Sequence, residues 1–408
     1  MKIVILSDDF PPKSLGGAGI VAFMQAKELS KRGHEVSVIT TFQDKGVDEK
    51  IELDGMTVYR IQTNYNMFFR AYVSLFNLKT VFKVKNILKD IKPDVVHAHN
   101  IHQFLSYKVL DYARQFSKKV FITFHDVMSF HYTKLYPKRM GNKFDYKISW
   151  VSQIKNFKLQ YNPLRNILIK RYLVNIDKKF SVSGALRDAL EQNGIKNVEV
   201  LKNGLNIDDF NENKENIKTF KNKYDLNNKK VLFFSGRISR AKGIDVCINL
   251  IREISKTIPE VRLLIAGQKN EYVERILNSE DMKEVRKRII FTGWLNREEV
   301  VSAYYASDLI TVLSLYLDPF PTTNLEAMAT KRPVLGTIFG GTLESIEDGE
   351  TGFVVNPYDF SSVLYKAMIV LNDENLAIRF GENGINRIND EFLIEIQIDK
   401  LEKIYGRS

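Results

Sequence analysis

Lys230-Val-Leu-Phe-Phe-Ser235, followed at once by Gly236-Arg237 and Lys242-Gly243, is the stretch on which the fold turns. Six residues, mostly apolar and aromatic, read as a strand buried on both faces. A loop with a glycine and two cations follows, and then an apolar-periodic helix begins. The same arrangement stands at the N-terminus. Lys2-Ile-Val-Ile-Leu-Ser7 is a strand, and a loop with Pro11, Pro12, Gly16 and Gly17 follows it. Val21, Met24, Ala26 and Leu29 mark a helix over residues 18–31, which Gly33 stops.

Between these two starts, strands are expected at Glu35–Thr40, Asp94–Ala98, Val120–Phe124, Lys179–Ser183 and Val198–Lys202. After the second start they are expected at Val261–Ala266, Ile289–Phe291, Asp308–Leu313, Pro333–Gly336 and Phe353–Val355. Strands that alternate with helices imply parallel sheets covered on both faces. The fold class is therefore α/β, with two doubly wound Rossmann-like domains in series. Residues 206–229, rich in Asp, Asn and Lys, mark the boundary. The domains are expected at 1–205 and 206–390, with a last helix in 391–408 that packs back on the first. No tandem repeat is visible.

The chain has 408 residues and is 44% hydrophobic and 27% charged, as expected of a globular enzyme. No apolar run approaches the ~18 residues that would span a bilayer. The apolar start is cut short by Asp8 and Asp9, so it reads as a strand and not as a signal peptide. The single cysteine, Cys247, cannot form an internal disulfide. Both features suit a cytoplasmic location. The net charge of +11 is uneven: residues 1–205 hold 33 Lys and Arg against 18 Asp and Glu, and residues 206–408 hold 27 against 31. A basic first half suits an anionic partner, whether a membrane surface, a phosphorylated lipid or a nucleic acid, or reflects only a lysine-rich composition.

Three clusters carry chemistry. Gly16-Gly17 sits before a helix, where backbone N–H groups can meet an anion or where glycines merely turn the chain. A dinucleotide fingerprint fits poorly. Its glycines should follow the strand directly and an acid should end the second strand, which here ends in Thr40 and Thr41. Arg237 and Lys242 follow a strand's carboxyl end, where they could neutralise a diphosphate leaving group. The third cluster is Asp318-Pro-Phe-Pro-Thr-Thr-Asn-Leu-Glu326-Ala-Met-Ala. It places two acids eight positions apart around a turn that opens a helix. Glu326 in the first helical turn could accept from sugar hydroxyls. The N–H groups of Thr322, Thr323 and Asn324 could hold sugar or phosphate oxygens, and Thr322 or Thr323 could cap the helix. His97, His99 and His102 lie close in sequence, but no carboxylate or cysteine cluster joins them, so no metal site is expected.

The third cluster resembles the E-x7-E signature of retaining GT-B glycosyltransferases, in particular glycosyltransferase family four, also described as glycosyl transferases group 1. Other matching segments run along nearly the whole chain: Gly16-Gly17 through Gly33-His34-Glu35-Val36, Pro93 to His99, Thr123-Phe124-His125-Asp126, Asn203-Gly204, Gly236-Arg237 with Lys242-Gly243, Gly293-Trp294-Leu295, and Gly340-Gly341 through Asp348-Gly349 to Thr351-Gly352-Phe353. The resemblance implies a GT-B fold with a cleft between its domains, a nucleoside-diphosphate-sugar donor bound by the C-terminal domain, no metal and no other cofactor. It implies that Glu326 binds the ribose, Asp318 contacts the transferred sugar, and Arg237 and Lys242 hold the diphosphate with Gly17. It places Gly293, Trp294 and Leu295 beside the base, His125 near the donor sugar, and Gly16, Gly236, Phe320, Pro321, Thr322, Thr323 and Asn324 in the donor site. Two departures stand out. Asp318 reaches about one methylene less than Glu. Pro321 replaces a glycine and removes one backbone donor.

A nucleotide-sugar epimerase on the same fold is a rival, as is a basic nucleic-acid-binding protein, for which the aromatic-rich stretch at 130–180 would speak. Residues 131–179 carry twelve Lys and Arg and only Asp145 and Asp177 as acids, with Tyr132, Tyr136, Phe144, Tyr146, Trp150, Phe157, Tyr161 and Tyr172 among them. Aromatics in the headgroup layer and cations on lipid phosphates would attach the first domain to the inner face of a membrane and give it a lipid-linked acceptor. A saccharide acceptor and a merely solvated face are the alternatives. Base, sugar, acceptor and oligomeric state are not written in the sequence.

Overall fold

A computed structural model of the chain describes residues 1–12, 16–140 and 143–406, without the side chains of Arg139, Met140, Lys143 and Asp281. The chain divides into two compact units, Met1–Gly204 with Ile394–Ser408, and Leu205–Leu393.

The first unit is built on β1 (Lys2–Leu6), β2 (Glu35–Phe42), β3 (Glu49–Leu53), β4 (Met56–Gln62), β5 (Val95–Ala98), β6 (Lys119–Phe124), β7 (Lys138–Met140), β8 (Lys143–Asp145), β9 (Lys178–Ser181) and β10 (Val198–Val200). Eight of these form one sheet in the order β10-β9-β6-β5-β1-β2-β4-β3, and β7 and β8 pair separately. All neighbours in the sheet are parallel except β3, which runs antiparallel along the β4 edge. Ile3, Val4, Ile5 and Leu6 are fully buried, as a central parallel strand requires. The order reverses between β1 and β5, so the loops after these strands flank a switch point, where ligands of open α/β sheets bind.

The second unit has β11 (Lys230–Ser235), β12 (Val261–Ala266), β13 (Ile289–Phe291), β14 (Leu309–Val312), β15 (Val334–Thr337) and β16 (Gly352–Val355). Its sheet is parallel throughout, in the order β13-β12-β11-β14-β15-β16. Here the order reverses between β11 and β14. Leu232, Leu263, Leu309 and Leu335 from four adjacent strands meet Ile244, Ile248 and Ile251 of the helix Ile244–Ile254 in one core.

Two hairpins add to the strands expected from the sequence. β3 and β4 are joined by Asp54-Gly55, both at positive φ (47° and 75°). That pair is the two-residue turn whose twist matches paired strands, and it was the available signal. β7 and β8 are three residues each, too short for an alternation to register. The end of the chain also differs in detail. Residues 388–392 form a wide π turn, and the final helix is Ile394–Tyr405.

Candidate active site

In the second unit the site grows from the two strands beside the switch point. Beyond β11 the chain turns through Gly236 (φ 131°), exposes Arg237 and makes a tight turn over Arg240–Lys242. Beyond β14 it runs through Leu313, Ser314 and Leu315 to Asp318. Two contacts lock these loops together. The Leu315 N–H donates to the Ala241 carbonyl at 2.8 Å. A Cβ on Gly243 would lie 2.0 Å from the Leu313 oxygen, so only glycine fits that approach.

The result seats Lys242 Nζ 2.7 Å from Asp318 Oδ2. Ser314 Oγ donates to the same oxygen at 2.6 Å. With both groups on Oδ2, the described contacts leave Oδ1 without a protein partner. Burial pulls the Lys242 ammonium down, but Asp318 and Tyr316 outweigh it and hold the group above the ordinary lysine value. Burial first, and Asp318 second, push the Tyr316 hydroxyl up to about 12, with Lys242 and Arg237 pulling the other way. Lys242, Asp318, Tyr316 and Arg237 thus form one electrostatic group.

Asp318 is fixed from behind by Gly340 and Gly341. The Gly341 N–H donates to the Asp318 carbonyl at 2.9 Å. A Cβ on Gly340 would lie 1.9 Å from that carbonyl oxygen, and one on Gly341 2.1 Å from the Pro319 oxygen. The short Asp318 side chain is therefore carried on a backbone pressed against two glycines.

The helix Thr322–Ala329 corrects three expectations. Pro321 is its N-cap and no side chain caps it, so Thr322 and Thr323 are helical residues and not caps. Glu326 is the fifth helical residue, in the second turn. The Asn324 N–H is taken by the Pro321 carbonyl at 3.1 Å, and the Asn324 amide turns inward to Thr342 Oγ1 (3.3 Å) and Ser345 Oγ (2.9 Å). Among the three expected backbone donors, Thr322 and Thr323 keep N–H groups with no helical acceptor. Proline lacks only a donor that an N-cap does not use within the helix, so the Pro321 departure costs the turn little.

Glu326 Oε2 accepts a 2.6 Å hydrogen bond from Tyr304 Oη, and Oε1 has no protein partner among the described contacts. Tyr304 is fully buried in the helix Arg297–Tyr305. Burial, with Glu326 beside it, holds its hydroxyl far above the usual range, so it stays a donor. Tyr304 was missing from the sequence reading, since nothing in its spacing sets it apart from a core aromatic. Ser314 was missed likewise. Gly293 has φ 75° and pairs with Gly267, while Trp294 is 78% exposed and Leu295 half-buried. Phe320 is 5% exposed and packs on Phe392 with ring centroids 5.9 Å apart, so it supports the site from within.

In the first unit the residues gather at the carboxyl ends of β1, β5 and β6. Gly16 is the N-cap of the helix Gly17–Lys31. Its N–H donates to Asp9 Oδ2 at 2.9 Å, so this amide already serves a carboxylate of the chain, while Gly17 borders open space. Asp8, also missed, is buried and accepts from the N–H groups of Gln103 (2.7 Å), Phe104 (2.9 Å) and Leu105 (2.6 Å). Burial pushes its carboxyl up to about 7 against the opposing effect of those donors.

His125 ends a ladder of imidazoles. His97 hydrogen-bonds Tyr405 Oη (2.5 Å) and Thr123 Oγ1 (2.8 Å), and its ring stacks on His99 at 4.8 Å. His99 Nδ1 lies 2.8 Å from His125 Nε2. Burial holds His97 down at about 3 and His125 at about 4, so the ladder is neutral at pH 7. One proton lies between His99 and His125, which leaves His125 Nδ1 as the nitrogen available to a ligand. Among the described residues no group of three or more His, Cys, Asp and Glu is arranged to hold a metal ion, and no helix is long and apolar enough to cross a membrane.

Residues 15–209 match the family model of glycosyltransferase family 4, and residues 216–387 that of glycosyl transferases group 1. An uncharacterized glycosyltransferase of Methanocaldococcus jannaschii is 26% identical over 91% of this chain and 90% of its own. The structure of sucrose-phosphate synthase from Thermosynechococcus elongatus superposes with a TM-score of 0.77 at 21% identity, covering 99% of this chain and 98% of that one. Anabaena HepE in complex with UDP-glucose superposes with a TM-score of 0.73 at 18% identity and 99% coverage of both chains.

Proposed function

The chain belongs to the glycosyl transferases group 1, with the fold of GT-B enzymes, and from that premise we propose that it moves a hexosyl group from a nucleoside diphosphate to an acceptor with retention of anomeric configuration. The observation that carries the reading is the Lys242–Asp318 pair at the β11/β14 switch point, with Asp318 Oδ1 left for sugar hydroxyls. Glu326 Oε1 is left in the same way for a ribose hydroxyl. Arg237 and Lys242 supply the positive charge that a departing diphosphate requires. Among the described residues no carboxylate stands out as a nucleophile for double displacement, so the acceptor attacks the face from which the diphosphate leaves, and the leaving phosphate takes its proton. The charge on the diphosphate is met by side chains, and the reaction proceeds without a metal. The binding of UDP-glucose by HepE supports the donor class. The basic stretch at 131–179 supports a lipid-linked or saccharide acceptor at the cytoplasmic face of a membrane, in the synthesis of surface polysaccharide or glycolipid.

Melting curves with a panel of nucleoside-diphosphate sugars test the donor site. A ligand at 100 times its Kd adds ~2.7 kcal/mol of stability, and Glu326→Ala should abolish that shift and turnover together. If none of the panel raises the melting temperature, the donor assignment fails. NMR of the product reads the anomer, and an inverted linkage overturns retention. Loss of activity in EDTA that magnesium restores would overturn metal independence.

A further inference from the structure

Two acid-free runs of the first unit pack against each other. Residues 55–89 hold six Lys and Arg and no Asp or Glu, and residues 146–176 also hold six and none. Their union is fixed by specific contacts. Tyr72 Oη donates to the Leu159 carbonyl at 3.1 Å, Arg165 Nε donates to Ser74 Oγ at 3.3 Å, and Ala71 packs in a small core with Tyr161 and with Tyr132, which lies outside both runs. Phe68 and the segment Asn156–Gln160 line one shallow pocket.

This packing sorts the aromatics differently from the sequence reading. Tyr132, Tyr146 and Tyr161 are buried and hold the unit together, and Arg165 is buried with them. The side chains of Arg139 and Lys143 lie outside the described ones. Of the aromatics named from the sequence, Trp150 (62%) and Tyr136 (53%) face solvent, and the structure adds Phe68 39%, Phe69 51%, Tyr72 42%, Leu159 77% and Leu164 60% exposed. Lys155, Lys158, Lys170 and Arg171 are exposed among them. Leaving large apolar groups in water while nearby aromatics of the same segments are buried marks an interaction surface.

We infer that this surface docks on an anionic lipid bilayer, with Phe68, Phe69, Trp150 and Leu159 entering the headgroup–acyl boundary and the lysines meeting lipid phosphates. The charge pattern selects that partner. The apolar centre of a protein interface is depleted of charge, whereas here cations stand between the apolar residues and no acid occurs in either run. Glu49 and Asp48, from outside the runs, pair with Arg60 and Lys83, so the charge offered to lipid is chiefly that of the second run, with Lys155 and Lys158 beside Trp150 and Leu159. Alternation of apolar insertion with positive charge is what an anionic bilayer accommodates. Nucleic acid would match the charge but gives Leu159 and Leu164 no partner.

The inference rests on the membrane-facing acceptor reading for its purpose only. Its test contains neither donor nor acceptor, so its failure and that of glycosyl transfer are read separately. The full chain carrying Trp294→Phe keeps Trp150 as its one tryptophan. With phosphatidylcholine vesicles containing phosphatidylglycerol, Trp150 emission should shift to the blue, and co-sedimentation should weaken as salt rises. Phosphatidylcholine alone should do neither. Phe68→Ser with Phe69→Ser should lower vesicle binding about tenfold or more while the cooperative melting transition is kept, because both rings are about half in water and belong to neither main core. Lys155→Glu with Lys158→Glu should lower it similarly and flatten the salt dependence. Absence of binding at low salt overturns the inference. So does binding that ignores the Phe68 and Phe69 changes, and so does displacement from vesicles by single-stranded DNA at equal phosphate.

Discussion

Asp318 Oδ2 takes both Lys242 and Ser314, and this division of the carboxylate gives Lys242 its charge. The Lys242 side chain keeps only 26% of its exposure, and burial alone would favour the neutral amine. Asp318 reverses that preference. Because the folded state holds Lys242 above the ordinary value of 10.5, the ammonium persists at every pH below that value and is lost only as pH rises through the raised one. Wild-type kcat should therefore show no basic limb from Lys242 between pH 7 and 10. Asp318→Asn removes the larger of the two partners that oppose burial and leaves only Tyr316, so the amine loses its proton at lower pH. We expect kcat to fall about 10²-fold or more, with its basic limb moved to lower pH than in the wild type. A kcat–pH profile over this range decides it. A variant with the wild-type limb would show that Asp318 does not govern Lys242.

At the scale of elements, Gly340 and Gly349 separate two uses of glycine. Both are left-handed, at φ 83° and 82°. Only Gly340 is also crowded: its Cβ would lie 1.9 Å from the Asp318 oxygen, whereas Gly349 has nothing within 4 Å. Gly349→Ala should cost only the backbone penalty, about 1–2 kcal/mol. Gly340→Ala should cost that plus the overpacking, about 1–3 kcal/mol more, and should also displace Asp318, so donor affinity falls along with stability. Melting curves with and without donor measure both. Equal effects in the two variants would remove the claim that Gly340 positions the acid. The same comparison shows what the sequence makes legible. Most of the parallel strands announce themselves as apolar runs, although β4, parallel to β2, does not, and the glycines and acids of the site stand in a recognisable order. Tyr304 and Ser314 do not, because their partners, Glu326 and Asp318, are chosen by strand order and helix packing. The first turn of Thr322–Ala329 was misread for a related reason: Thr is a good cap, but Pro321, with φ held near −65°, already occupies that position.

At the scale of the whole molecule the chain path makes an asymmetric pair of units. Leu205 and Leu393 are bridged, with the Leu205 N–H 2.7 Å from the Phe392 carbonyl, so the second unit begins and ends at one place. The first unit is completed only by the last helix. Ile394, Ile398, Leu401 and Tyr405 are nearly fully buried against β1, β2 and the helix Gly17–Lys31. Arg32 pairs with Asp399 (2.6 Å) and Glu402 (2.9 Å), and His34 meets Glu402 at 2.7 Å. Burying four such side chains contributes roughly 6–12 kcal/mol at about 1.5–3 kcal/mol each. That equals the whole net stability of a typical domain, about 5–15 kcal/mol. A fragment of residues 1–204 should therefore fail to fold alone and recover when residues 394–408 are supplied as a peptide. A fragment of residues 205–393 lacks none of its core and keeps Arg237, Lys242, Asp318 and Glu326. It should fold alone and melt at higher temperature with the donor nucleotide. Far-UV circular dichroism and melting curves of the fragments measure this. A cooperative transition in residues 1–204 without the peptide would show that the final helix is an accessory to the first unit and not part of its core.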